Sequence, residues 1–441
     1  MFSFLRRPHA ALVIGALVLC FFAVVAVAPL PTDELAIVRA VDARNADAVA
    51  LLERAVNINS GTQNLTGVRE VGAIFRAELD ALGFKTQWID GAAWHRAGHL
   101  VATHPGSGTK LLLIGHLDTV FERDSPFQKF QRLDAKTAKG PGIIDMKGGD
   151  VVVVFALKAL EAAGALKTMD VTVVMTGDEE DPGDPQARAR EALVAAAKGR
   201  DAAFGFEDGP GDPQYAVTAR RGTAGWVLRV KGTPAHSSQI FRPEVGFGAI
   251  YEAARILNGF REKLSGEEHL TFNPGVIVGG TSATFDATAA RGTAFGKTNV
   301  VAEQTIVSGD VRTLSKAQLD HAKQAMQAVV AASLPRTSAT LTFDEGYPSL
   351  APTEGNARLL AAYDRASQDL GFGPVRAVSP DKAGAADVAF VAGEVPMIID
   401  GIGLMGHDDH TPGETADLST LPSQTKRAAI TLYRVSKSAP R

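Results

Sequence analysis

The stretch LLLIGHLDTV (residues 111–120) sets four consecutive apolar residues directly before Gly115, His116 and Asp118. An unbroken apolar run of that length, closed by a glycine, predicts a short strand at Leu111–Ile114 buried on both faces. Val171–Met175 and Ala202–Phe206 read as two further buried strands. Apolar residues at helical spacing predict helices over Ala46–Val56 and Val68–Leu82, the second stopped by Gly83. Between the first two strands lies Asp145–Gly164. Its Val151–Val154 run has strand propensity, but Ala156–Gly164 closes as a helix, so the segment is read as helical. Buried strands alternating with helices imply an α/β fold, a mostly parallel sheet covered on both faces.

Near Tyr215 the texture changes. Gly225–Lys231, Val276–Gly279, Thr305–Val311 and Ser338–Phe343 read as strands, with helices at Val245–Leu264 and Lys316–Ala332. Strand–helix–strand–strand–helix–strand is the order of a ferredoxin-like α+β sandwich. From Ala351 the α/β alternation resumes, with helices at Asn356–Leu370 and Leu421–Val435. The chain thus reads as one α/β unit, residues 35–214 and 349–441, interrupted by an insert over 215–348.

With 45 Lys and Arg against 49 Asp and Glu, the net charge of −4 offers no basic field for a phosphate backbone, so nucleic acid is excluded as a partner. The hydrophobic fraction of 45% supplies a sizeable core and excludes global disorder. Cys20 is the single cysteine, which excludes a disulfide framework and a thiolate metal site. Arg6 and Arg7 precede an apolar run from Ala10 to Ala28 that ends in Ala26-Val27-Ala28, the order of an export signal. Residues 1–28 are therefore read as a signal peptide, and the protein as periplasmic or secreted. Pro29 directly after the small-residue site argues against cleavage there, and residues 10–28 are long enough to span a bilayer, so a membrane anchor is the alternative.

Each buried strand is followed by polar residues that bind metals well: His116 and Asp118, then DEED (178–181), then Glu207 and Asp208. Asp145 follows a glycine-rich turn, and GHDDH (406–410) stands near the C-terminus. Singly, each has an ordinary reading as a turn histidine, a solvated acidic loop or a surface loop. GPGIIDMKGGD (140–150) lacks the spacing of a phosphate-binding loop. Together, nitrogen and carboxylate donors at the carboxyl ends of open-sheet strands suit zinc. A carboxylate between two cations could bridge them.

With these motifs the chain resembles the di-zinc exopeptidase and aminoacylase family, which includes glutamate carboxypeptidase, succinyl-diaminopimelate desuccinylase and aminoacylase. The resemblance rests on LLLIGHLDTV (111–120), GPGIIDMKGG (140–149), TGDEED (176–181), FEDG (206–209), GTPAHSS (232–238), TNVV with SGDVRT (298–313) and GHDDHTPGE (406–414), all in family order. It implies a catalytic α/β unit with an inserted lid that forms a homodimer, and two Zn2+ per chain, replaceable by Co2+ or Mn2+. His116 and Glu207 would hold one ion and His410 and Glu180 the other, with Asp145 bridging. Asp118 would orient His116, and Glu179 would be the general base toward the attacking water. Sequence adjacency leaves Glu179 and Glu180 exchangeable, and His407 is the runner-up to His410, which Glu414 follows. The resemblance also implies a cis peptide at Asp145–Met146.

From the lid, His236 would reach the partner's active site to donate to the oxyanion, unless it is a plain surface histidine. Asn299 and Arg312, read as lying on successive lid strands, would converge on the substrate carboxylate; a structural salt bridge is the other reading of Arg312. The departures from the family pattern are Ala302 where proline is common, the middle residues of GAAD (384–387), which keeps the family's glycine and aspartate, and EGYPSLAPTEG (345–355), with Tyr347, in the segment where glutamate carboxypeptidases carry an extra arginine. The implied activity is hydrolysis of an amide bond beside a free carboxylate, by a carboxypeptidase or dipeptidase acting on small peptides. An N-acyl amino acid deacylase is the close alternative, and a non-catalytic anchored binding protein a remoter one.

Overall fold

Leu111, Leu112, Leu113 and Ile114 are all buried, inside strand β3 (Ser107–His116). Side chains alternate across a strand, and here they serve two cores. Leu111 and Leu113 enter the larger apolar cluster, whereas Leu112 and Ile114 enter a second cluster on the opposite face. This is the physical content of an unbroken apolar run: a strand covered on both sides. The computed structural model describes residues 29–438 except 288 and 345. The proposed signal or anchor, with Cys20, lies outside the described residues. Among those described, no helix is long and apolar enough to cross a membrane.

The other strands of this sheet are β1 (Lys85–Asp90), β2 (Gly98–His104), β4 (Met169–Thr176), β5 (Ala202–Gly205) and, late in the chain, β10 (Ile398–Ile399). Their spatial order is β1-β2-β4-β3-β5-β10. Strands β4, β3, β5 and β10 run parallel, while β2 runs antiparallel to both its neighbours, β4 and the edge strand β1. Helices α1 (Thr32–Ala43), α2 (Asn45–Val56), α3 (Leu65–Ala81), α4 (Lys147–Ala162), α5 (Gln186–Ala197), α8 (Glu354–Asp369) and α9 (Thr420–Ser436) surround it. In α4 every residue from Lys147 to Leu157 is buried, which is the position of a central helix. Its four valines are helical despite their strand preference, because α4 packs against α1, α2 and α9 and tertiary burial outweighs propensity.

The middle segment forms its own antiparallel sheet from β6 (Gly222–Lys231), β7 (Thr271–Gly280), β8 (Gln304–Thr313) and β9 (Ser338–Phe343), in the order β7-β8-β6-β9. That is a ferredoxin-like order. Helices α6 (Gly248–Leu264) and α7 (Lys316–Ala331) cover one face around Trp226, Leu228, Phe260, Val307 and Met326. Two features were not read from the sequence. Strand β7 begins before Pro274, with a register shift between Pro274 and Val276; as an edge strand it tolerates the proline. A hairpin of Ser282–Asp286 and Arg291–Phe295 covers part of the other face, where Ala283 joins Val227 and Ile306.

The chain enters and leaves the insert through a paired strap. Arg220 and Leu350 exchange backbone hydrogen bonds of 2.9 and 3.0 Å, and Thr223 N–H donates to Tyr347 O at 2.9 Å.

Leu157→Ala should open a cavity beside α4 and cost about 2–5 kcal/mol. Leu133 is 53% exposed, and Leu133→Ala should change stability by less than about 0.5 kcal/mol. Denaturant melting of the two variants checks this; equal losses would contradict the buried position of α4.

Candidate metal centre

Three parallel strands deliver the site. His116 ends β3, the loop after β4 carries Glu179 and Glu180, and Glu207 follows β5. In an open α/β sheet the carboxyl ends of the strands are where ligands bind. Asp145 arrives from the turn before α4, and His410 from the loop after β10.

Asp145 stands between the two histidines. Its Oδ1 lies 3.0 Å from His116 Nε2 and its Oδ2 lies 2.9 Å from His410 Nε2. Glu207 Oε1 is 3.7 Å from His116 Nε2, and Glu180 Oε2 is 3.1 Å from His410 Nε2. Two groups with metal-ligand spacing result, His116–Asp145–Glu207 and Asp145–Glu180–His410, and they share only Asp145. The other oxygen of Glu180 is buried without a hydrogen-bond partner, as expected of a group built to face a cation. The donor set, two imidazoles and three carboxylates, fits two zinc-like ions.

The surroundings hold these groups in place. Glu414 is fully buried and accepts from the N–H groups of Gly142 (2.9 Å), Ile144 (2.9 Å) and Asp145 (3.2 Å), which fixes the turn that presents the bridging carboxylate. Gly142 has φ +68°, and a Cβ there would meet Thr119 at 2.3 Å, so the turn requires glycine. The Asp145–Met146 peptide is cis. Asp118 is fully buried; its backbone carbonyl lies 3.1 Å and its carboxylate Oδ1 3.4 Å from His116 Nδ1. The same carboxylate accepts from the N–H groups of Glu179 (3.0 Å) and Glu180 (3.1 Å) and from Thr62 Oγ1 (2.6 Å). It therefore sets both the imidazole and the acidic loop.

Glu180 belongs to a ligand group, whereas Glu179 lines the same cleft of about 260 Å³ without joining either group. His410 faces Asp145, and His407 is exposed and belongs to neither group. Glu414, noted in the sequence only because it follows His410, ties down the bridging turn. Of Arg190, Asp387 and Tyr347, which brace the Glu179 loop, Arg190 carried no sequence signal, whereas Asp387 stood out only as the aspartate of GAAD (384–387) and Tyr347 only as a departure from the family pattern.

The insert residues lie elsewhere. His236 is exposed, with Nδ1 2.8 Å from Ser238 Oγ, and it does not line the cleft of its own chain. Asn299 is exposed and its carbonyl accepts from Ser237 N–H at 2.9 Å. The convergence of Asn299 and Arg312 is corrected by the register. Backbone pairing runs from Ser237–Asn299 through Gly232–Glu303 into β8, with Arg312 near the far end of that same strand. Gln304 to Arg312 alone is eight residues of extended chain, about 26 Å. One chain cannot close both on one anion. Arg312 pairs instead with Asp310 at 3.1 Å, half-exposed.

The charges are strained without cations. Burial raises Asp145, but hydrogen bonds from His116 and His410 outweigh it and hold its carboxyl well below the usual range. Burial, then the neighbouring Asp145, pushes Glu180 up to about 7. Burial likewise pushes Glu207 up to about 7. Hydrogen bonds to Asp145 and Glu180 push His410 up to about 11. Burial opposes protonation of His116, yet Glu207, Asp118 and Asp145 together raise it well above its ordinary value.

The sequence profile of peptidase family M20/M25/M40 matches residues 112–434. Carboxypeptidase G2 of Pseudomonas sp. (strain RS-16) is 26% identical over 388 residues, 86% of this chain and 87% of its own. Among solved structures, aminopeptidase PepT from Bacillus cereus superposes with TM-score 0.71 at 17% identity, over 89% of this chain and 99% of its own. A dinuclear metal binding peptidase of Bacillus subtilis superposes with TM-score 0.62 at 17% identity, over 89% and 99%.

Metal uptake by chelator-stripped protein should release protons, because the histidines and the raised carboxylates must lose theirs to coordinate. Glu180 and Glu207 are protonated below about pH 7, so apparent affinity should fall as pH drops through that value. Calorimetric titration in buffers of different ionisation heat measures the release; affinity unchanged between about pH 6 and 8 would contradict the shifts.

Proposed function

This chain belongs to peptidase family M20/M25/M40, and from that membership and the site's geometry we propose an exported di-zinc exopeptidase. It hydrolyses the amide bond next to a free C-terminal carboxylate in small peptides, as a carboxypeptidase or dipeptidase. The observation that carries the reading is Asp145, offering one oxygen to each of two histidine–carboxylate groups.

In this reading His116 and Glu207 hold one cation and His410 and Glu180 the other. When bound, the pair supplies Lewis acidity to water and to the scissile carbonyl. Glu179 takes a proton from the attacking water and returns it to the leaving amine. Burial suits Glu179 to that role. Desolvation first, then the neighbouring acids Glu207, Asp387 and Glu180, raise its carboxyl well above the usual range, which favours its taking up a proton. Asp118 keeps His116 oriented.

Asp208 and Asp409 line the cleft beyond the ligands. Burial first, then Asp145 and Glu207, raises the Asp208 carboxyl well above its usual range, and Arg220 and Lys382 line the same cleft. Similarity to a carboxypeptidase over 86% of this chain supports a peptidase over an N-acyl amino acid deacylase.

The insert acts as a lid in a homodimer, His236 entering the partner's cleft to donate to the oxyanion. Asn299 and Arg312, at opposite ends of one strand, then serve different clefts of the dimer, and Arg312 receives the substrate carboxylate as a fork. The support for a dimer is an exposed apolar set on the insert, Phe241, Ile250, Tyr251, Ile277 and Phe295, all at least half-exposed. The support for export is the composition of residues 1–28, and retention of that segment would leave the protein membrane-anchored.

Chelation should abolish hydrolysis, and Zn2+, Co2+ or Mn2+ should restore it. Dipeptides should be cleaved far faster than N-acyl amino acids, and C-terminally amidated peptides far more slowly than free acids. The opposite acyl preference would make the chain a deacylase. Glu179→Gln should keep both cations and lose about two to four orders of magnitude in rate; if Glu180→Gln does so instead, the two glutamates exchange roles. In a mixed dimer, a His236→Ala chain and a Glu179→Gln chain should together regain activity, and no recovery in verified heterodimers would confine His236 to its own chain.

A further inference from the structure

We propose that Tyr347 is a positioning residue that links the strap between the insert and the α/β unit to the general base Glu179. The inference rests on the role given to Glu179 above.

Tyr347 lies on the segment that returns from the insert, beside Gly222 on the outgoing segment. The two run so close that a Cβ at Gly222 would sit 2.6 Å from Tyr347 O and from Ser349 N. From this strap the side chain turns inward. Its hydroxyl donates to the carbonyl of Glu179 at 2.5 Å and accepts from Arg190 Nη2 at 2.8 Å. Both capacities of the oxygen are therefore committed inside the protein. The ring packs edge-on against Phe390 at 5.0 Å, and the Arg190 guanidinium lies over both rings.

Arg190 is 1% exposed and fully engaged. It donates to Asp178 Oδ1 at 2.6 Å, to Asp178 O at 3.0 Å and to Asp387 Oδ1 at 2.7 Å; Asp387 also accepts from Thr176 Oγ1 at 2.6 Å. Thr176 ends β4, so the whole loop from Thr176 to Glu180 is clamped from beneath. Glu179 is held at both backbone groups, its N–H by Asp118 and its carbonyl by Tyr347. Only its side chain is left to line the cleft.

The Glu179 carbonyl is the one point in this clamp held by a residue of the strap. A change in the angle of the insert moves the strap, and Tyr347 carries that movement to the peptide that aims the base.

Tyr347→Phe removes one oxygen and keeps the ring packing. The expected result is a fall in kcat of about 10- to 100-fold, the scale of a misplacement of about 1 Å near the reacting atoms. KM should stay within about twofold, both cations should be retained, and amides of residues 178–180 should exchange faster with solvent. In the Glu179→Gln background, Tyr347→Phe should cost nothing more, because a residue acting through the base has nothing left to aim. An unchanged kcat in Tyr347→Phe, an effect confined to KM, or a loss that multiplies onto Glu179→Gln would overturn the inference while leaving the base assignment intact. A Glu179→Gln enzyme with full rate would overturn the base assignment, and the inference with it.

Discussion

One carboxylate with a histidine on each side is the constraint around which the site is built. Asp145 directs Oδ1 toward His116 and Oδ2 toward His410, at 3.0 and 2.9 Å. Among the described residues, no other belongs to both ligand groups. If Asp145 moved, the two groups would cease to be neighbours, and each would be an ordinary ion pair. The electrostatics point the same way. Glu179, Glu180 and Glu207 are all raised, with burial as the first cause and neighbouring carboxylates adding to it. A cleft that crowds so many acids away from water is costly unless cations neutralise them.

Much of the remaining structure keeps this arrangement in register. The parallel strands bring their carboxyl ends to one edge, Glu414 pins the turn before Asp145, and Asp118 pins the Glu179–Glu180 loop from the other side. These supports are buried carboxylates that accept from backbone N–H groups. They fix the main chain, and Asp118 also faces His116 Nδ1, on the ring edge away from Asp145, so the ligands retain donors for cations. Arg190 and Tyr347 extend the same logic toward the insert.

What the sequence made legible was whatever left a periodic or local mark. The run at Leu111–Ile114 announced a strand buried on both faces, and the polar residues after each strand announced a site at the sheet edge. His116, Asp145, Glu180, Glu207 and His410 come together as two ligand groups. Helix α4 was legible despite Val151–Val154 because Ala156–Gly164 continued it. The hidden parts depend on partners far along the chain. Glu414 acts on residues about 270 positions away, and Tyr347 on Glu179 across 168 positions. Neither pairing has a local signature. Asn299 and Arg312 do not meet within one chain because the ladder joining them runs beyond its apolar core, Thr305–Val311; thirteen positions along one extended ladder is a separation.

The central claim is that Asp145 makes one centre from two ligand groups. Its most direct test is elemental analysis after equilibrium dialysis against buffered Zn2+, comparing the native chain with Asp145→Ala, His116→Ala and His410→Ala. The account predicts two ions per native chain, one in each histidine variant, and fewer than one in Asp145→Ala at the free Zn2+ that saturates the native protein. Two ions retained by a folded Asp145→Ala chain would contradict it.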